Sequence, residues 1–316
     1  MSTPPPTGTT NAAGTDVLPG TDVAALAALM HGRRLAVLTG AGISVDSGIP
    51  DYRGPTTRHI ARNPVQHDDF VRSAEARQRY WSRASRGYLA VSGARANPAH
   101  LALAALEAAG HLTGVITQNV DGLHQAAGSR HVVELHGSMH RVVCLACAKT
   151  YPRATIQRQI RADNPGFIRA AEALAPDGDA AVAKTEQAAF RTPHCRACGG
   201  VLMPDVVFFG GSVPKAWSGA AYELLAGSDG LLVVGSSLTV FSGYRFVREA
   251  SKQGKPVAIV TLGETRGHKH AAVAIDGEVG RVLPELVGAV NAPPPNHPPP
   301  PAFSPSCVPP SKPSPP

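Results

Sequence analysis

The chain has 316 residues, 43% of them hydrophobic, and a formal net charge of +7. That is enough for two domains, or for one large domain carrying an insertion, with a core of its own. No run of 18 or more apolar residues exists, which excludes a helical membrane span. The N-terminus has neither the basic and apolar regions of a secretory signal nor the arginines of a transit peptide, so a cytoplasmic location is expected.

Residues 1–20 are mostly Pro, Thr, Gly and Ala, and residues 292–316 hold 13 of the 29 prolines. Such segments bury too little apolar surface to offset their ordering entropy. Both are expected as disordered tails, the second with a polyproline character that suits a partner's groove. The folded part is therefore 21–291. Asp22 to Met30 has helical apolar spacing and leads into a strand, Arg34 to Leu38. Gly40-Ala41-Gly42 follows it like a phosphate-binding turn, but Val45 stands where the fingerprint G-x-G-x-x-G has its third glycine. Gly48 and Pro50 then break the chain, so a kinked loop is expected there in place of a long helix.

A helix is expected over Asp68–Val91. The next is well punctuated, with Asn97 as cap, Pro98 at the first position and Gly110 past the last turn. Gly114–Thr117 and Val132–Leu135 read as strands on either side of a short helix, Gly122–Ala127. Later come a strand at Leu231–Val234, a helix at Gly243–Lys252 and a strand at Pro256–Thr261. Repeated strand–turn–helix units imply a doubly wound parallel α/β sheet, whose ligands lie beyond the carboxyl ends of the strands. Topology thus points to Gly40–Ser44, Gln118–Asp121, His136, Gly235–Ser237 and Thr261–Gly263.

Four of the five cysteines form two C-x-x-C pairs, Cys144/Cys147 and Cys195/Cys198, with 47 residues between the pairs. Two such knuckles hold one tetrahedral zinc, and a four-thiolate site is closed and structural. A redox C-x-x-C normally opens a helix, whereas Pro193-His194 and Gly199-Gly200 read as turns. Cys307 lies in the tail. Arginines cluster between Arg53 and Arg95 without an aromatic-interleaved basic motif. That fits ordinary surface charge or attraction of an anionic ligand, and argues against a nucleic-acid surface.

The order GAGIS, SGIPDYR, TQNVD, LHG, the two C-x-x-C pairs, PDVVFFG and GSS resembles the sirtuins, the NAD-dependent protein deacylases. The likeness runs from about residue 22 to 290. Within the family it is most similar to class II, the sirtuin-4-like group, through PVQHDDFVRSAEARQRYW, LAPDGD, LMPDVVFFG and VVGSSLTVFSGYRF. The resemblance implies a Rossmann-type lobe (about 21–135 and 205–291) with an inserted small zinc-binding lobe (about 136–204). It also explains the opening motif: the first turn cradles the NAD pyrophosphate with backbone N–H groups, and the kinked loop serves a chemistry that expels nicotinamide.

The reaction so implied starts with attack of the acyl-lysine oxygen on the ribose carbon as nicotinamide leaves. A base then deprotonates a ribose hydroxyl, and water completes the release of lysine and O-acyl-ADP-ribose. The resemblance makes His136 the base, a group that titrates near neutrality, with Asn119 holding the ribose and Asp121 the nicotinamide carboxamide. Ser44, Asp51, Tyr52 and Arg53 would shape that pocket beside Gly40, Ala41, Gly42, Gln118 and Val120. Gly235, Ser236, Ser237, Thr261, Leu262, Gly263 and Val279 would face the adenosine side. Thr261 replaces a common Asn, Val279 offers backbone alone, and Gly211 departs from the family's acidic F-G-E or F-G-D. Val206, Val207 and Phe208 would pair with the substrate peptide against Val240–Ser242, by strand addition, with Phe208 lining the lysine tunnel and Phe209 in the core. Tyr80 and Arg83 resemble the Tyr-x-x-Arg pair that binds acidic acyl groups.

The expected activity is therefore NAD-dependent lysine deacylation of protein substrates, with NAD and one structural Zn2+. Mono-ADP-ribosyl transfer from the same site is the alternative. Hydride transfer is disfavoured by the missing third glycine. A non-enzymatic NAD- or nucleic-acid-binding zinc protein would need neither His136 nor Asn119. Oligomeric state is left open.

Overall fold

The structure is a computed structural model that describes residues 22–51, 64–169 and 180–291. Helix α1 (Val23–Met30) is capped by Asp22, whose carboxylate accepts from the Ala25 N–H at 2.8 Å. Strand β1 (Leu35–Thr39) follows, then a 3-10 segment, Ala41–Ser47, that ends at Gly48 with φ of 81°. The kinked loop is thus a short tight helix stopped by a left-handed glycine.

The single helix expected over Asp68–Val91 is two, α2 (His67–Arg72) and α3 (Ala74–Gly93). The break is Ser73, whose extended backbone leaves the helix and whose Oγ accepts the Ala76 N–H at 3.1 Å. An N-cap serine was present in the sequence, but the apolar spacing runs on through it. Helix α4 (Pro98–Ala108), strand β2 (Leu112–Thr117), helix α5 (Leu123–Ala126) and strand β3 (Val132–Glu134) come next. Then follow β4 (Gly137–Cys144), β5 (Thr150–Pro152), α6 (Arg153–Asp163), α7 (Lys184–Ala189) and β6 (Leu202–Val206). The described residues end with α8 (Lys215–Ala226), β7 (Gly230–Val234), α9 (Phe241–Lys252), β8 (Val257–Thr261), β9 (Ala271–Asp276) and α10 (Val279–Asn291).

Six strands form one parallel sheet in the order β3-β2-β1-β7-β8-β9. The chain winds outward from β1 to β3, then restarts at β7 and winds the other way. The reversal between β1 and β7 is the topological switch point, where such sheets hold ligands. Two-residue alternation divides the sheet's side chains between two cores. Leu35, Val37, Leu232, Val234, Ala258 and Val260 pack with α1, α4 and α10. Ala36, Leu38, Leu231, Val233, Val257 and Ile259 pack with α8 and α9. Both faces are covered, which is why these strands read as unbroken apolar runs.

A smaller antiparallel sheet has the order β5-β4-β6. Its core joins Val142, Ile156, Ile160, Phe190 and Leu202 to Phe70 and Trp81 from α2 and α3. Arg153 is fully buried there, its guanidinium 4.7 Å from the Trp81 ring and 4.8 Å from Tyr88, donating to the Ala84 carbonyl at 3.1 Å. Cation–π stacking and that hydrogen bond offset the desolvation of its charge. Among the described residues no helix is long and apolar enough to cross a membrane.

Candidate functional site

The switch point is built from glycines. Gly42 N–H donates to the Gly235 carbonyl at 2.8 Å, and Gly40 N–H to the Val234 carbonyl at 3.2 Å. A Cβ on Gly42 would sit 2.8 Å from the Gly235 oxygen, one on Gly40 2.8 Å from the Ser236 Cβ, and one on Gly235 2.5 Å from the Ile43 nitrogen. Gly235 also has φ of 58°. Two loops therefore close on each other at a distance that side chains forbid. Ala41 opens the 3-10 turn, and Ser237 shares a 3.1 Å hydrogen bond with Thr239.

The β2 loop brings polar groups to the same place. Asn119 Nδ2 donates to the Gly40 carbonyl at 3.1 Å and to Ser44 Oγ at 3.0 Å. Ser44 Oγ donates to Asp121 Oδ2 at 2.8 Å, and Asp121 Oδ1 accepts the Leu123 N–H at 3.0 Å. Gln118 Nε2 donates to Ser236 Oγ at 3.0 Å. Val120 contributes backbone, its carbonyl accepting the Met139 N–H at 2.9 Å. Beneath them Thr39 and Thr117, closing β1 and β2, are hydroxyl-bonded at 2.9 Å. So residues 40–44, 118–121 and 235–236, far apart in the chain, form one hydrogen-bonded cluster of donors, acceptors and glycine backbone at the switch point, where sheets of this kind hold a dinucleotide in the crevice beyond the strand ends.

His136 borders this crevice at the end of β3. Its Nδ1 lies 3.0 Å from the Gln118 carbonyl and its Nε2 2.8 Å from Ser242 Oγ. Burial holds its pKa below the usual imidazole range; the Gln118 carbonyl opposes this and the Arg245 charge adds to it. The ring is thus kept neutral and fit to accept a proton. Sequence reading placed Ser242 only in a flanking segment and gave Arg245 no role. Neither carries a local signal, since Ser242 is 106 residues from His136.

On the adenosine side of the expected site, Thr261 is buried, Leu262 is 56% exposed, and Gly263, with φ of 73°, donates its N–H to Asp276 at 2.8 Å. Val279 begins α10 with its side chain in the core. Asp51 is half-buried, and Tyr52, Arg53 and the LAPDGD stretch lie outside the described residues. Toward the smaller sheet, Val207 N–H donates to the His136 carbonyl at 2.9 Å, so the β6 strand end is tied to the candidate base. Val206 ends β6, and Phe208 is 7% exposed, with ring centroids 4.9 Å from Phe70 and 5.0 Å from Tyr80. Arg83 stands three residues on from Tyr80 in α3, half-buried. The core position expected for Phe209 is corrected: it is 42% exposed. Phe208 fills the inward position, and the neighbouring residue points away while its carbonyl accepts the His67 N–H at 2.9 Å.

The four thiols of Cys144, Cys147, Cys195 and Cys198 all lie within 4.8 Å of one another, the pairs Cys144–Cys198 and Cys147–Cys195 at 3.5 and 3.8 Å. A tetrahedron with Zn–S bonds of about 2.3 Å has edges of about 3.8 Å, so this donor set fits one Zn2+. The two knuckles repeat each other. Ala148 N–H bonds Cys144 O at 3.0 Å as Gly199 N–H bonds Cys195 O at 2.7 Å, and both residues have positive φ, 57° and 74°. Gly200 carries no side chain because a Cβ would lie 2.7 Å from Ala146 Cβ and 3.0 Å from Cys144 Sγ.

The sequence profile of the Sir2 family matches residues 40–242. An "NAD-dependent protein deacetylase 1" of Mycobacterium avium (strain 104) is 52% identical over 277 residues, covering 86% of this chain and 96% of that one. "NAD-dependent protein lipoamidase sirtuin-4, mitochondrial" of Homo sapiens is 46% identical over 255 residues, covering 80% of this chain and 81% of its own. A solved structure described as "Sir2-p53 peptide-NAD+" superposes with a TM-score of 0.67 at 31% identity, covering 83% of this chain and 96% of that one. Likeness of this depth, in both sequence and fold, makes this chain a member of the Sir2 family.

Proposed function

We propose that this protein is an NAD-dependent protein-lysine deacylase that passes the acyl group to ADP-ribose and releases nicotinamide. The observation that carries the reading is His136, a neutral, oriented imidazole beside a glycine-lined crevice, in a chain half identical to a named deacetylase. NAD supplies a ribose carbon with nicotinamide as leaving group. The crevice of Gly40, Ala41, Gly42, Gly235, Ser236 and Ser237 would hold its phosphates and adenosine side, with Thr261, Leu262, Gly263 and Val279 flanking. Ser44, Asn119 and Asp121, already hydrogen-bonded to one another, present a preorganised polar surface to the carboxamide and ribose. His136 accepts the ribose hydroxyl proton at Nε2. Its other nitrogen stays bonded to the Gln118 carbonyl, which favours the imidazolium as it forms.

The substrate peptide would lie extended between Val206–Phe208 and Val240–Ser242, with Phe208 and Tyr80 lining the lysine stem and Phe70 backing them from the core. Phe241 and Phe209, 53% and 42% exposed, would flank that path. Arg83 beside Tyr80 would favour an acidic acyl group, so glutaryl-type lysines should outcompete acetyl-lysine, and Arg83→Ala should remove the preference. Four free thiols gathered at one site suit a reducing, cytoplasmic compartment.

The decisive assay incubates zinc-loaded protein with NAD and a panel of acylated lysine peptides, and follows peptide mass and nicotinamide together. Stoichiometric deacylation and nicotinamide release, both lost in His136→Ala, are expected. Nicotinamide release with ADP-ribosylated protein and no deacylation would replace the reading by mono-ADP-ribosyl transfer.

A further inference from the structure

His136 has two hydrogen-bond partners, and the chemistry of one fixes the role of the other. A carbonyl oxygen only accepts, so the Gln118 contact at 3.0 Å requires a proton on Nδ1. In the neutral ring Nε2 is then the bare acceptor. The Ser242 hydroxyl, 2.8 Å away, donates to it. The lone pair that must take a proton is thus engaged by a serine while the ring is neutral.

The contact is built into the fold. Ser242 is the second residue of α9, and the next residue, Gly243, packs against the Gln118 side chain so closely that a Cβ would lie 2.6 Å from Nε2. The first turn of α9 therefore rests on the same residue whose carbonyl holds the opposite edge of the imidazole. Gln118 is itself tied to Ser236 at 3.0 Å. One close approach, which a larger residue would relieve only by displacing the Gln118 amide, sets both ends of the clamp.

We propose that Ser242 is a positioning residue for the base: it holds the His136 ring with Nε2 toward the cleft, and yields that nitrogen to the ribose hydroxyl. The proton passes from the ribose oxygen to Nε2, and the Ser242 oxygen, both donor and acceptor, turns to accept from the new N–H or from a neighbouring group. This rests on the deacylase reading.

Among the charged groups on the surrounding elements are Arg245 on α9, Asp121 after β2, Glu134 on β3, His140 on β4 and Asp205 on β6. Arg245 acts on the ring, opposing its protonation. The others are engaged elsewhere: Asp121 by Ser44 and Leu123, His140 by the Asp121 carbonyl at 2.7 Å, Glu134 and Asp205 by Arg141. Donation by Ser242 stabilises the neutral ring, and acceptance from the Nε2–H by the same oxygen, a charge-assisted bond, stabilises the imidazolium more. Its removal therefore lowers the His136 pKa.

The test uses the zinc-loaded full chain with Ser242→Ala and Ser242→Thr. For Ser242→Ala, kcat should fall about tenfold, a fraction of what a whole general base contributes. The acid limb of the kcat/KM profile should move to lower pH, and Ser242→Thr, which restores a hydroxyl, should recover both. Independently of turnover, the His136 ring followed by NMR in the free protein should titrate at lower pH in Ser242→Ala than in wild type. An unchanged acid limb and an unchanged ring titration would overturn the proposal. So would a loss in Ser242→Ala that Ser242→Thr leaves unrepaired. If wild type deacylates no peptide, the deacylase reading fails, and the ring titration still decides whether Ser242 caps the imidazole.

Discussion

Replacing Gly235 by alanine separates two costs that the switch point combines. The first is conformational: φ of 58° places the residue in the left-handed region, where a Cβ costs about 1–2 kcal/mol. The second is steric: the new Cβ would lie 2.5 Å from the Ile43 nitrogen and 2.8 Å from the Gly42 carbonyl carbon. Both are backbone atoms, so no side chain can swing away, and overpacking of this kind adds about 1–3 kcal/mol. Gly254→Ala is the matched control. It too has positive φ, 68°, but nothing lies within 4 Å of its added Cβ. Gly254→Ala should therefore lose about 1–2 kcal/mol and Gly235→Ala about 2–5 kcal/mol, less in both the small gain from a stiffer unfolded chain. At roughly 2–4 °C per kcal/mol for a domain of this size, thermal unfolding separates the two. Relief of the clash must part the β1 and β7 loops, so calorimetry should show NAD affinity reduced more than tenfold in Gly235→Ala alone. Equal Tm losses in the two variants, with NAD affinity intact in both, would refute the claim that the two loops touch across the crevice.

Other outcomes follow from single features. His124 is fully buried, hydrogen-bonded to Thr39 at 2.9 Å, with its pKa pushed down to about 3 by burial and by His100. Its folded pKa lies below its unfolded value, so the stabilisation is complete above about pH 6.5 and is lost as pH falls toward 3. Denaturant titrations should show about 2 kcal/mol less stability at pH 5 than at pH 7, a difference that shrinks in His124→Gln. Metal analysis should find one Zn2+ per chain, and Cys147→Ala or strong chelation should remove it and unfold the smaller sheet, since such sites contribute on the order of 10 kcal/mol. Ala148→Gly should raise stability by about 0.5–1 kcal/mol, because Ala148 holds φ of 57° where its partner knuckle has Gly199; an unchanged or lower Tm would argue against strain in that turn.

The outline of the fold was written in local chemistry. Apolar runs gave β1, β2, β7 and β8, Asn97-Pro98 gave the start of α4, and two C-x-x-C spacings gave the thiol cluster, because propensity, capping and ligand spacing all act over a few residues. Strand-end residues were legible as a candidate site because parallel sheets place ligands there whatever the sequence. The break at Ser73 was misread because periodicity outran a single capping residue, and Phe209 because hydrophobicity alone does not say which way a side chain points. What tertiary structure decided was contact between distant segments. It seated Gly243 on Gln118, closed Gly235 on Ile43, set Ser242 against His136 and packed α3 over the zinc knuckles. Such contacts depend on how helices and loops dock over a finished sheet, and no stretch of sequence short enough to read by pattern contains both partners.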